Sequence, residues 1–365
     1  MRVTSFLPYN QLARGLKDQL AELTILSNQM ATGKKISKTS DDVSGTVDAL
    51  GYRLSLSGNE QYERNITRAS TVLDFTETTL EQVASVLDSL REIVLDGSDS
   101  SLSEADRTYY AEKAALIRDH LLELGNTTFE DRYIFSGFQT DQPAYVYDAV
   151  NHRYSYQGDS GQLQLAVDRG LTQTINFAGS SADPSISTAF SYTLNTPQTV
   201  TLADGSTVTY TPLPDPGSGV TFIEVDITHP DHPGDPEYED HFHFSNFMEM
   251  TDLLSQAWQY QDLDGTALSS SESLRRISAM AVPLEKSEDQ VTLVRAELAA
   301  RHLQLENQEE GLQANSETLK NALSEMEDAD MAETIIALQQ VAVTLEALRM
   351  SSSRILSQSL FDFLS

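Results

Sequence analysis

At 365 residues the chain is long enough for two or three domains of about 100–200 residues each, and 39% of its residues are hydrophobic. Its net charge of −31 disfavours nucleic-acid phosphates and anionic membrane as partners, because both would repel it. There is no cysteine, which excludes disulfides and thiolate chemistry.

The N-terminus, Met1-Arg-Val-Thr-Ser-Phe-Leu-Pro-Tyr-Asn10, has neither a continuous apolar segment nor a small-residue cleavage site, so no cleaved signal peptide is expected. No stretch reads as the roughly 20 apolar residues that membrane insertion requires. These features fit a cytoplasmic protein, or one exported by a route that needs no cleaved signal.

From about Leu12 to Leu124 glycine is sparse and proline absent, and apolar residues recur every three or four positions. Tyr62, Ile66, Ala69, Leu73, Thr76, Leu80, Val83, Leu87, Leu90 and Val94 alternate four and three, a heptad seam along one long helix. Gly58 and Asn59 interrupt the pattern before it, and Asp96-Gly-Ser-Asp-Ser100 ends it. Ser103-Glu-Ala-Asp106 resembles a capping box and opens a second helix to Leu124.

Character changes near Arg132. Tyr145-Val-Tyr and Arg153-Tyr-Ser-Tyr predict one hairpin, and residues 198–210 a second, turning at Asp204-Gly205. Pro212, Pro214, Pro216, Pro230, Pro233 and Pro236 mark loops. From Asn246 helical spacing returns, with Val291, Val294, Leu298, Leu305, Leu312, Leu319 and Met326 on one stripe. A last seam runs Met331, Thr334, Leu338, Val341, Leu345, Leu348, Ser352, Ile355.

Neither terminal third can bury its stripe alone. The expected fold class is therefore α+β: a long antiparallel helical bundle built from the N- and C-terminal segments, with a β-rich inserted domain at the far end. The expected divisions are terminal assembly segments at 1–40 and 329–365, a helical core at 41–139 and 246–328, and the β-rich insertion at 140–245. Seams reaching within a dozen residues of both ends favour assembly, since termini fray unless something ties them down.

Several segments resemble the flagellin-like family of bacterial flagellar proteins. Thr32-Gly-Lys-Lys-Ile-Ser-Lys-Thr-Ser-Asp-Asp42 is similar to the Ser-Gly-Lys segment followed by Ser-Asp-Asp near the start of flagellins and hook-associated proteins, with Thr32 and Val43 departing from the usual serine and proline. Physically, Gly33 can end one helix and Thr39 or Ser40 can cap the next. Glu60-Gln-Tyr-Glu-Arg-Asn-Ile-Thr-Arg-Ala69 resembles the family's Gln-Tyr-x-x-Asn-Ile segment. Asn126-Thr-Thr-Phe-Glu-Asp-Arg-Tyr-Ile-Phe-Ser-Gly137 and the ending Ser357-Gln-Ser-Leu-Phe-Asp-Phe-Leu364 resemble the hook–filament junction branch of this family more than flagellins. Val294-Arg-Ala-Glu-Leu-Ala-Ala-Arg301 matches another family pattern, with Ala299 in place of glycine.

The resemblance implies export through the flagellar type III apparatus with an uncleaved signal, and an extracellular place in the bacterial flagellum. It also implies a ring of copies of the chain joining the hook-side junction protein to flagellin, served by an export chaperone. The expected assembly interface is Leu12, Leu16, Leu23, Leu26 and Met30 with Leu338, Val341, Leu345, Leu348, Ile355, Leu360, Phe361 and Phe363. A flagellin is the alternative.

A different class would be an extracellular enzyme or metal-binding module on a helical stalk. His229, His232, His241 and His243 are its weak metal candidates, since His241 and His243 would share one face of a strand. No closed ligand set, phosphate-cradling glycine loop or nucleophile elbow accompanies them. Asp262-Leu-Asp264-Gly265 lacks the glutamate that closes a calcium loop. The expectation is no catalysis and no cofactor, with Trp258 serving packing.

Overall fold

The apolar spacing at both ends becomes long helices in the computed structural model, which describes residues 6–364 apart from 41, 100, 149–152, 184, 193, 195, 216–219, 230–238 and 264. The side chains of 6–9, 215 and 355–364 lie outside that description. In chain order come α1 (Phe6–Thr32), α2 (Val43–Asp96) and α3 (Glu104–Gly125). The strands follow: β1 (Thr128–Phe129), β2 (Arg132–Tyr133), β3 (Tyr145–Asp148), β4 (Arg153–Tyr156), β5 (Gln164–Asp168), β6 (Leu171–Thr174), β7 (Gln198–Thr201), β8 (Thr207–Asp215), β9 (Val220–Thr228) and β10 (Asp240–Phe244). Then come α4 (Phe247–Trp258), α5 (Ser270–Ala279), α6 (Ala281–Glu327) and α7 (Met331–Leu364). The class is α+β, as expected.

The chain divides into two compact units, residues 1–61 with 310–365, and residues 62–309. In the second, the predicted seam of α2 is the core: Ile66, Ala69, Leu73, Leu80, Val83, Leu87 and Leu90 are wholly buried. Each such leucine contributes about 1.5–3 kcal/mol relative to an exposed one. Thr76, the polar member, donates to the Val72 carbonyl and leaves no unmet group. Val291, Val294, Leu298 and Leu305 of α6 are buried too. Ion pairs Arg91–Glu288, Arg295–Glu77 and His302–Asp74 step up α6 as they step down α2, so the two helices run antiparallel.

Trp258 is a packing residue, as expected. Its indole N–H donates to the Gly97 carbonyl at 3.0 Å, and the ring is buried. A Cβ at Gly97 would stand 2.6 Å from the Ile93 carbonyl oxygen and 2.7 Å from the indole. Gly97→Ala should therefore cost about 1–3 kcal/mol, seen as a lower urea midpoint by Trp258 fluorescence; an unmoved midpoint would contradict this packing.

The four-stranded antiparallel sheet has order β10-β9-β8-β7. Alternation separates its faces: Val208, Tyr210, Ile223, Val225, Ile227, Phe242 and Phe244 are buried. The Tyr210 hydroxyl donates to the Ala279 carbonyl at 2.6 Å, tying sheet to α5. Both predicted hairpins form, β3–β4 and β7–β8, the latter with Gly205 at φ 88°. The β5–β6 hairpin lies along the long helices, where Asn65 donates to the Ala166 carbonyl and Gln308 to Asp168.

Four expectations need correction. α2 is unbroken through Gly58 and Asn59, because tertiary pairing overrides local propensity: buried Asn59 donates to Ser316 at 3.0 Å, a polar pair that fixes the register of α2 against α6 in the first unit. The cap of α2 is Asp42, whose Oδ1 accepts from Gly45 N at 3.0 Å, and not Thr39 or Ser40. Pro212 and Pro214 lie inside β8, paired with Ile223 and Thr221 of β9. They are tolerated because β7 ends opposite Tyr210, so beyond it β8 is an edge. Finally, Met331–Arg354 of α7 is by length and composition apolar enough to cross a membrane; interleaved Ala, Thr and Ser hide this in a reading by large residues alone.

Candidate assembly surfaces and the histidine cluster

In the first unit α1 packs against α7. Leu12, Leu16, Leu23 and Leu26 are half-buried, Val341 is buried, and Leu338, Leu345 and Leu348 are half-buried. Met30 is exposed, and the side chains of Ile355, Leu360, Phe361 and Phe363 lie outside the described residues. The seams read from the sequence thus meet one another within the chain.

A second apolar set is left outward. On α7 Ile336, Val343 and Met350, spaced by seven, are exposed by 64%, 68% and 58%. On α2 Val43, Val47, Leu50 and Leu54 alternate four, three, four, all more than half exposed. On α1 Leu20 and Ile25 are exposed. Sequence reading missed this set although its heptad spacing was the available signal. Periodicity alone does not say which of two seams the chain itself consumes. Within Met331–Arg354 only Thr334 and Val341 are buried, so this apolar helix keeps a broad outward face among the described residues.

The joint between the helices is built from both linkers. Gly33, at φ 69°, ends α1 and its N–H donates to Gln29 O. Lys35 N donates to Glu327 O at 2.6 Å and Ala329 N to Gly33 O at 2.9 Å, an antiparallel bridge between Lys34 and Asp328. The Glu327 carboxylate, 5% exposed, accepts from Lys34 Nζ at 2.8 Å and Arg53 at 2.7 Å. Burial alone would raise its pKa, but the bonds from Lys34 and Arg53 prevail and hold it below the usual carboxylate value.

The Arg132–Gly137 segment has a definite task in the second unit. Phe135 and Ser136 are wholly buried. Gly137 stands at φ 68°, where a Cβ would lie 2.2 Å from the Asp159 carbonyl oxygen, so only glycine fits. The Arg295 and Arg301 motif on α6 is likewise structural: Arg295 pairs with Glu77, while Arg301 donates to the Asn176 carbonyl and lies 4.0 Å over the Phe177 ring.

Among the described residues, His229, His241 and His243 do not converge. His229 faces the Asp204 carbonyl at 3.1 Å, and His232 lies outside the described residues. His241 and His243 do share one face of β10, but with different partners. His241 Nδ1 is 2.7 Å from Asp226 and Nε2 is 3.4 Å from Glu224, and the bond to Asp226 raises its pKa against modest burial. His243 contacts Arg153, and burial first, then that guanidinium, lowers its pKa. Glu224, Asp226 and His241 have ligand atoms within 4.8 Å of one another. With both ring nitrogens facing carboxylates, the arrangement suits an imidazolium in an ion pair more than a metal ligand.

Residues 3–140 match the family model described as the bacterial flagellin N-terminal helical region. Among curated proteins the chain is similar to flagellar hook-associated protein 3 of Salmonella typhimurium, 30% identical over 180 residues, and to that of Escherichia coli, 29% identical over 180 residues. In each case the alignment covers 49% of this chain and 56% of the relative, so the chain spans little more than half the length of the curated relatives it matches. A solved flagellar hook-associated protein from Vibrio parahaemolyticus shares the fold, with TM-score 0.56 at 20% identity, covering 79% of this chain and 100% of that one.

Proposed function

We propose that this chain, whose residues 3–140 match the bacterial flagellin N-terminal helical region, is a junction adaptor of the bacterial flagellum, joining hook to filament by self-assembly and performing no catalysis. The observation that carries this reading is α7, an apolar helix with Ile336, Val343 and Met350 left outward at heptad spacing. Such a surface gains free energy when an apolar partner covers it, and heptad spacing suits a helix of another copy. The partners are neighbouring copies in a ring, the hook-side junction protein on one side and flagellin on the other, with an export chaperone shielding the apolar ends beforehand. The protein acts outside the cell, on the flagellum.

The terminal assembly segments are 1–40 and 329–365, and the seam of Leu12 to Met30 with Leu338 to Leu348 shapes the helix pair whose outer face makes the ring contact. The proposed remainder is 41–139 and 246–328 for the helical core and 140–245 for the β-rich insertion. A flagellin would share the terminal design, but the Phe135-Ser136-Gly137 segment and the Phe361-Asp-Phe363 ending favour the junction role.

The test is complementation of a strain lacking its own junction protein. Val343→Lys with Ile336→Lys should remove about 2 kcal/mol per anchor and reduce filament-bearing hooks more than tenfold, with the urea midpoint by Trp258 fluorescence unchanged. Deleting residues 355–365 should do the same. Normal filament growth from either variant would refute assembly through the terminal helices.

A further inference from the structure

Charge is unevenly placed in the first unit. Residues 1–61 carry seven Lys and Arg against six Asp and Glu, whereas residues 310–365 carry three against nine. In a chain of net charge −31, the linker after α1 holds three lysines within five residues, Lys34, Lys35 and Lys38. Lys34 pairs with Glu327. Lys35 and Lys38 line a groove of about 320 Å³ between the end of α1 and the linker.

The groove also has apolar walls. Ile25, 57% exposed, and Ile36 line it, and Gln29 Nε2 donates to the Lys35 carbonyl at 3.3 Å, tying the linker to α1. Asp42 lies at the far rim, with its Oδ1 accepting from Gly45 N at the start of α2. A ligand suited to this site carries negative charge beside branched aliphatic side chains.

The first turn of α7 has that chemistry. Glu333 is exposed there, flanked by exposed Met331, Ile335 and Ile336. We infer that the groove lined by Lys35, Lys38, Ile25 and Ile36 receives the Met331–Ile336 turn of a second copy of this chain. The inference rests on the self-assembly reading and names the contact that propagates it. Donor and acceptor are different patches, so the contact is heterologous, the kind that closes into a ring or winds into a helix in place of stopping at a dimer. Opposite charge rejects a misplaced copy that would set acidic face against acidic face.

The experiment is charge reversal with rescue, in the full-length chain and the same deletion strain. Lys35→Glu with Lys38→Glu should lose filament-bearing hooks at least tenfold, as should Glu333→Lys. The chain carrying all three substitutions should recover most of the loss, because the contact is restored with polarity reversed. Glu333 is used in place of Asp330, whose carboxylate caps α7 through Ala332 N and Glu333 N. In parallel, carbodiimide cross-linking of mixed unlabelled and isotope-labelled chains should join Lys35 or Lys38 to Glu333 between copies. Absence of rescue, or links confined to single copies, overturns the inference. If the lysine variants assemble normally while deletion of 355–365 abolishes assembly, this contact falls and the self-assembly reading stands. If the deletion assembles too, that reading falls.

Discussion

Arg276→Ala should destabilise the second unit by about 3–5 kcal/mol, the range for removing one partner of a buried ion pair. The guanidinium on α5 is 4% exposed and forks between two carboxylates. It grips Asp240, at the head of β10, through Nε and through Nη2 at 2.7 Å, and Asp262 through Nη1 at 2.8 Å, while stacking 5.0 Å over Phe242. Burial opposes the charge, but the bonds to Asp240 and Asp262 outweigh it and keep the group protonated. One side chain thus holds sheet, loop and helix together, and its loss leaves Asp240, 9% exposed, buried without its counter-charge.

Trp258, the only tryptophan, lies in the same unit and reports the transition. The urea midpoint should fall by more than about 1 M at slopes of up to roughly 3 kcal/mol/M. Arg276→Met with Asp240→Asn and Asp262→Asn should recover part of the loss, because no bare charge then remains. A single Arg276→Ala variant within about 0.5 kcal/mol of the parent, the scatter of ordinary surface changes, would show that the fork is not a structural tie.

Elements whose signal is local were legible in the sequence. The α2 seam from Ile66 to Leu90 is buried where its spacing placed it, the Ser103 capping box forms with Asp106 in the expected role, and the Asp204-Gly205 turn closes β7 onto β8. What escaped is decided by partners distant in sequence. Asn59 looked like a helix interruption because nothing local reveals Ser316 as its partner. Pro212 and Pro214 looked like loop residues because their tolerance depends on where β7 ends. The terminal helices were half legible: heptad spacing identified α1 and α7 and the seams they turn toward each other, but not the apolar residues left outward. The residues left outward, Ile336, Val343 and Met350, emerge only once the pairing is known. His241 and His243 were placed correctly on one strand face, while their separate partners come from distant segments: Asp226 and Glu224 from β9, and Arg153 from β4 of another sheet.

The joint at Glu327 was invisible in sequence, since Lys34 and Arg53 stand at the opposite end of the chain, and it carries the second large expected effect. Lys34 and Arg53 are 44% and 55% exposed and can rehydrate, so Glu327→Gln should cost about 1–2 kcal/mol, less than a fully buried pair. The readout is local: hydrogen exchange at Lys35 N and Ala329 N, whose bonds to Glu327 O and Gly33 O bridge the two linkers. Protection there should drop by about 5–30-fold, following the same free energy. The pH dependence has a fixed sign. Because the folded pKa lies below the unfolded one, the stabilisation is fully present above the ordinary glutamate range and is lost as pH falls through the lowered folded value. After correction for intrinsic exchange rates, the wild-type joint should therefore loosen below about pH 4.5, whereas Glu327→Gln should be loose already and nearly flat across that range. A flat wild-type profile, or a glutamine variant as protected as wild type at neutral pH, would mean that the two backbone bonds hold the joint without the carboxylate. The terminal helix pair would then be oriented by main-chain geometry, and Lys34 and Arg53 would be incidental to how the assembly surface is presented.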